Sequence, residues 1–235
     1  MYFCVKLADL IIGINAVYPT SKSFLKEYLL EEKPQMYINI TTENIEEERK
    51  AEDGEYSLQY LETLSILRNI SNYLPKYNRF LCHGAVLSWH KKGFMFIAPS
   101  GTGKSTHVAL WKKYLGESVR IINGDKPILF VKDNSEIRAY GTPWAGKEGW
   151  QENDSVILKG ICVLQRARKN EICRLRTQEA LPFLLQQIYY STEYKNAGKT
   201  LEMLDVVLRN IPVYLLKCDI SYEAFRCSFE KLSQI

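Results

Sequence analysis

The chain has 235 residues, 46% of them hydrophobic and 25% charged, with a net charge of +4 at neutral pH. That balance suits a folded domain with a sizeable core and excludes a low-complexity or disordered chain. Lys and Arg are scattered rather than clustered, which argues against a nucleic-acid surface, and no uninterrupted apolar run is long enough to span a bilayer.

The first stretch, "MYFCVKLADLIIGINAVYP", is apolar but interrupted by Lys6 and Asp9, and no basic leader precedes it. It reads as a strand pair rather than a signal peptide, and the chain as cytoplasmic. A β-like run from Gln35 to Ile40 follows, then an acidic surface stretch, "TTENIEEERKAEDGEY". Between Ser57 and Leu74, apolar residues at Leu58, Leu61, Leu64, Ile66, Leu67 and Ile70 recur mostly at helical spacing. Residues 1–80 thus read as a β/α lead-in packed on a core that occupies 81–235.

From His83 the pattern sharpens. "AVLSW" and "FMFIA" flank His90-Lys91-Lys92-Gly93 as a hairpin would. "PSGTGKST" comes next, then a helix with Val108, Trp111 and Leu115 on its apolar face. "SVRIING" reads as a strand, expected beside the loop's own strand. "PILFV" and "IRAYG" bracket the turn signal "KDNSE", and "SVILKGICVLQ" and "NEICRLR" read as a further strand pair. Three amphipathic helices close the chain, with stripes at Leu181/Leu184/Leu185/Ile188, at Ala197/Leu201/Leu204/Leu208/Ile211, and at Tyr222/Phe225/Phe229/Leu232. Ser221 is placed to cap the last, and "PVYLLK" before it reads as a buried strand. The six cysteines form no CxxC pair and read as buried, reduced thiols.

"APSGTGKST" carries the chemistry. Gly101 and Gly103 permit positive φ and a close approach of backbone to phosphate, so the amides of Ser100 to Thr106 can cradle it at the helix N-terminus. Lys104 can reach the terminal phosphates, and Ser105 can offer its hydroxyl to Mg²⁺. Ala98 stands where the common pattern has its first Gly, which is tolerable at a negative φ. The carboxylate that phosphoryl transfer needs is assigned to Asp125, ending "SVRIINGD", in preference to Asp219, for which capping is explanation enough. Gly124 before it would leave room for metal or substrate. His83, preceding a Gly at the head of the hairpin, is a candidate partner of phosphate or carboxylate. His90 and His107 are given no role. "GTPWAGKEGW" supports two readings, packing under an Ω-loop or a substrate clamp with Trp144 and with Lys147 attracting an anion.

This order of His-Gly, strand, hairpin, "APSGTGKST", helix and strand ending in Asp resembles the HPr kinase/phosphorylase group. It is more distantly similar to ATP-dependent phosphoenolpyruvate carboxykinase. The nearest likeness is to HPr-kinase-like proteins of bacterial peptide-modification clusters, through "HGAVL", "APSGTGKSTH", "NGDKP" and "GTPWAGKEGW". The resemblance covers His83 to about Gln165. It implies an α/β fold with a mixed β-sheet P-loop core and flanking helices, ATP with Mg²⁺, and transfer of phosphate to a hydroxyl, usually serine. It would place Lys104 on the β- and γ-phosphates, Ser105 on the metal, Asp125 as base or metal ligand, and His83 against the phosphates. The departures are Gly124-Asp125 in place of an acidic pair, Thr106 in place of an acidic residue, and no match to the segment that engages HPr. The expected partner is therefore a peptide, a small protein or a small metabolite; a homo-oligomer is compatible with the sequence. A nucleotide-gated peptide-binding protein without phosphotransfer is the competing reading.

Overall fold

The computed structural model describes residues 1–132 and 136–235. The chain opens with β1 (Tyr2–Leu7), β2 (Leu10–Asn15), α1 (Pro19–Phe24), β3 (Leu29–Leu30) and β4 (Met36–Asn39). These strands form a four-stranded sheet in the order β3-β1-β2-β4. The alternating burial of β1 leaves Val5 and Leu7 fully covered. The cover is α3 (Leu58–Tyr73), whose Leu61, Ile66 and Ile70 share one core with Val5, Leu7, Ile12 and Ile14.

In the chain between β4 and α3 comes α2 (Thr42–Ala51), formed by the acidic stretch that reads from sequence as mere surface. A reciprocal capping box between Thr41 and Asn44 starts it. Its Glu48 is only 2% exposed and accepts two hydrogen bonds from the Arg68 guanidinium, so one of those acids is internal. Glu62, fully buried on α3, accepts from the amides of Val17 and Tyr18 and from the Ser21 hydroxyl, which satisfies the start of α1.

The rest of the chain runs β5 (Arg79–Leu81), β6 (Ala85–Trp89), β7 (Lys92–Ile97), α4 (Lys104–Leu115), β8 (Val119–Asn123), β9 (Ile128–Lys132), β10 (Glu136–Tyr140), β11 (Ser155–Arg166) and β12 (Glu171–Arg174). It ends with α5 (Thr177–Leu185), α6 (Tyr194–Asn210), β13 (Val213–Cys218) and α7 (Tyr222–Leu232). Nine of these strands form a curled, mixed sheet in the order β5-β9-β10-β11-β7-β6-β8, with β13 joining β11 and β12 joining β13. Helices flank it: Trp111 of α4 meets Phe225 of α7 over the Phe94 and Phe96 face of β7. Among the described residues no helix is long and apolar enough to cross a membrane.

Several expectations hold in detail. His90 and Lys91 both take positive φ, as a two-residue hairpin between β6 and β7 requires. The Ser221 side chain caps α7. Strands β9 and β10 pair antiparallel, although Asp133, Asn134 and Ser135 of the expected turn lie outside the described residues.

Others are corrected. Strand β8 does not lie beside β7; it pairs with β6, because the tight hairpin places β6 between them. Strands β11 and β12 do not pair with each other; β13, apolar on both faces, enters parallel to β11 and takes β12 on its far side. The helical stripes are also offset: Leu181, Leu201 and Tyr222 are exposed, while Thr200, Met203 and Val207 complete the buried face of α6. Cys82, Cys162 and Cys218 are buried, but Cys173 is exposed; all six thiols are free.

Candidate functional site

The curl of the large sheet builds the site. Its first and last neighbours are joined by two short crossings: residues 82–84 carry the chain from β5 to β6, and residues 124–127 carry it from β8 to β9. The crossings hydrogen-bond to each other, Cys82 N to Pro127 O at 3.1 Å and Gly84 N to Asp125 O at 2.9 Å. His83 and Asp125 each lie on one of them, so residues 42 positions apart in sequence become neighbours.

His83 Nε2 lies 3.1 Å from Asp125 Oδ1, and Lys126 Nζ lies 3.0 Å from Asp125 Oδ2. Burial alone would raise the Asp125 carboxyl, but the His83 hydrogen bond and the Lys126 ammonium outweigh it and hold the group below its ordinary value. Burial likewise works against the charge of Lys126, yet the Asp125 carboxylate and Tyr189 leave it raised. Asp125 is therefore an anion at neutral pH. Lys126 went unassigned in the sequence, although it stands in the quoted "NGDKP".

A buried asparagine fixes the carboxylate's position. Asn123 is fully buried and its Oδ1 accepts from the amides of Asp125 (2.9 Å) and Lys126 (2.7 Å), an Asx turn that aims both side chains. Its Nδ2 donates to Thr142 O at 2.9 Å, which ties the crossing to the segment 141–151. Gly124 does not make room for a ligand. A Cβ there would lie 2.6 Å from Ala145 O, and its amide donates to Trp150 O at 2.8 Å, so its bareness serves backbone packing.

Strand β7 ends at Ile97, just before Ala98, and because β6 is antiparallel to both β7 and β8, the end of β7 lies at the same edge as Asp125. Ala98 is buried and does not take positive φ. Its carbonyl accepts from Lys104 Nζ at 2.9 Å. Gly101 and Gly103 do, with φ of 73° and 118°, and a Cβ at either would meet nothing within 4 Å. Their requirement is conformational rather than steric. Gly103 precedes α4 with no side chain capping the helix's first amides. Burial lowers Lys104, and the Asp125 carboxylate opposes that shift. Ser105 and Thr102 are half-buried, while Ser100, Gly101 and Thr106 are exposed. Arg166, at the end of β11, donates to the carbonyls of Gly101 and Thr102 and so ties the loop to that strand. Nothing in the sequence singled it out.

Two cavities flank this edge and share no residue. One, of about 550 Å³, is bordered by Thr102, Gly103, Thr106, Leu110, Leu164 and Arg168. The other, of about 520 Å³, has Asp125 and Lys126 in its wall together with Trp144 and Lys147. Trp144 is 6% exposed, donates from Nε1 to Thr63 O at 3.0 Å and meets Phe24 edge-on, so it anchors its segment as packing while also lining that cavity. Lys147 is exposed. Among the described residues no group of three or more His, Cys, Asp or Glu could hold a metal alone. The hard oxygen donors at this edge include the Ser105 hydroxyl and the Asp125 carboxylate, groups of the kind that suit Mg²⁺ sharing its shell with phosphates and water.

The family described as SynChlorMet cassette protein ScmC matches residues 50–233. No curated protein matches the chain. Among solved structures, the Hpr(Ser) kinase/phosphatase from Coxiella burnetii is similar at 10% identity and a TM-score of 0.36, covering 66% of this chain and 93% of that one. The relation to HPr kinases expected from the motifs stands as a weak structural likeness only.

Proposed function

The chain belongs to the SynChlorMet cassette protein ScmC family, and from that premise we propose that it is an ATP- and Mg²⁺-dependent kinase. It transfers the γ-phosphate to a hydroxyl through a P-loop formed by Ser100 to Thr106. One observation carries the reading: an ionised carboxylate, Asp125, is held by His83 and Lys126 at the strand edge that also bears the glycine loop and Lys104.

In this reading the loop amides and Lys104 hold the β- and γ-phosphates, with Lys104 leaving the Ala98 carbonyl to do so. Ser105 and Asp125 would hold Mg²⁺, which supplies charge neutralisation at the phosphates. The acceptor oxygen attacks the γ-phosphorus, the bond to the β–γ bridging oxygen breaks, and ADP departs with that electron pair. Asp125 orients the hydroxyl and takes its proton as the new P–O bond forms. Because its pKa is depressed, it works by placement more than by basic strength. His83 holds the carboxylate in place.

The test is transfer of label from γ-labelled ATP into protein, peptide and small-molecule fractions of a cell extract, with a chelator and Asp125→Asn as controls. A Mg²⁺-dependent product lost in the variant, with nucleotide affinity nearly unchanged, is expected. Transfer by Asp125→Asn at the native rate would refute the role of Asp125. A second reading, nucleotide-gated peptide binding without transfer, is favoured by the single carboxylate, since Gly124 has no space for a side chain. It predicts bound ATP that stays intact in every fraction.

A further inference from the structure

We propose that the cavity beside Asp125 is the acceptor site and that it takes a free hydroxylated α-amino acid with an apolar or aromatic body. The proposal rests on the kinase reading and gives that reading a substrate class. Three observations carry it.

The first is position. The cavity touches the reacting edge through Asp125 and Lys126, whereas the cavity bordering Thr102 and Gly103 contains neither. A phosphate on the loop and a hydroxyl in this cavity would meet at Asp125 from different sides. Second comes size and lining. About 520 Å³ is the range of sites that enclose one small molecule, and Leu64, Leu67, Trp144 and Tyr189 give it the apolar walls such sites have. Two of these walls come from α3, which is braced by the pair between buried Glu48 and the exposed Arg68 and by Trp144 on Thr63. The N-terminal region thus supplies one side of the site and the strand edge the other.

Charge is the third. Six ionisable groups of Asp, Glu, Lys and Arg type line the cavity. Asp125 is neutralised by Lys126, and Glu48 by Arg68. Glu52 and Lys147 form no close ion pair among the described residues; Glu52 acts on Arg68 at longer range, and this leaves one acid and one base without a contact partner of opposite charge. An α-amino acid brings an ammonium for Glu52 and a carboxylate for Lys147, and its side-chain hydroxyl goes to Asp125. The products are ADP, the O-phosphorylated amino acid and one proton, which balances the step.

The experiment uses the full chain, γ-labelled ATP and Mg²⁺ with L-serine, L-threonine and phenylserine as probes. Their N-acetyl amides and a serine-containing peptide are run in parallel. Label on the free amino acids, dependent on Asp125, is expected, with phenylserine favoured over serine. Leu64→Trp narrows the cavity and should raise KM for the amino acid at least about tenfold with nucleotide Kd unchanged. Should that variant fold poorly by its thermal melt, Leu64→Ala serves, and it should shift preference further toward phenylserine. Lys147→Ala, at an exposed side chain, should raise KM for the free acid about tenfold and leave the amide unaffected. Label confined to peptide or protein, or KM values indifferent to Leu64, would overturn the proposal and leave the kinase reading standing. ATP bound but transferred to none of these probes would overturn the proposal, and the kinase reading would fall with it only if no fraction of the cell extract were labelled either.

Discussion

Asp125 keeps its charge because two donors outweigh its burial, and that balance has a pH signature. In the folded chain its carboxyl lies below the ordinary value, so its contribution to stability is complete above about pH 4 and is lost as pH falls through the folded value. Lys126 is raised, so its contribution is complete below about pH 10 and is lost as pH rises through its folded value. The difference in unfolding free energy between the native chain and an Asp125→Asn, Lys126→Met double variant should be flat from about pH 5 to 9 and shrink below about pH 4. Urea titrations across that range measure it; a difference that grows in acid would contradict the assignment. Asp125→Asn alone strands a half-buried ammonium and should cost about 2–3 kcal/mol more than the double variant. At this scale the sequence singled out Asp125, His83 and the glycines; the glycines' positive φ is a local property, whereas the pairing of His83 with Asp125 needs the fold. Arg166 was not, because it acts on carbonyls that only the fold brings near; Asn123 and Lys126 act on immediate neighbours, but nothing along the chain says which way those side chains turn.

Among the elements, the segment 141–151 shows how little freedom the site has. A Cβ on Gly141 would lie 1.9 Å from Glu152 O and 2.5 Å from Ile122 O, both backbone atoms that cannot swing aside. Gly141→Ala should therefore cost about 3 kcal/mol, read as a shift of the urea midpoint, and loosen the tie between Asn123 and Thr142. A change below about 0.5 kcal/mol would mean that the strand ends separate at little cost. The elements themselves were mostly readable, since alternation and helical spacing are written along the chain. Their neighbours were not: β6 between β7 and β8, and β13 between β11 and β12, are choices made by packing between segments far apart. The offset faces of α5 and α6 have the same origin, because a stripe of leucines defines a helix but not which edge of it meets the sheet.

For the molecule as a whole, one internal histidine sets an acid limit. The Ser228 hydroxyl donates to Phe225 O and receives Trp111 Nε1–H, so His107 must donate to it from Nε2 and is the Nε2–H tautomer. Its Nδ1 has no partner among the described residues, and burial pushes its pKa down to about 4. The unfolded chain, with an ordinary histidine near 6.5, takes up the proton first. Stability is therefore complete above about pH 6.5 and falls by about 3 kcal/mol as pH drops through about 4. A His107→Gln variant should lose much less over that interval; equal losses would place the acid sensitivity elsewhere.

The middle position of β11 has a consequence for the chain while it is being made. Strand β7, buried on both faces, has β6 along one edge from the moment the hairpin closes, but its other edge is reserved for a strand that begins at Ser155. Until the ribosome has delivered β11, "FMFI" offers a bare apolar border to any other nascent chain. Slow translation between residues 97 and 155 is thus the interval in which this protein is most exposed to aggregation, and in which a chaperone would have something to hold.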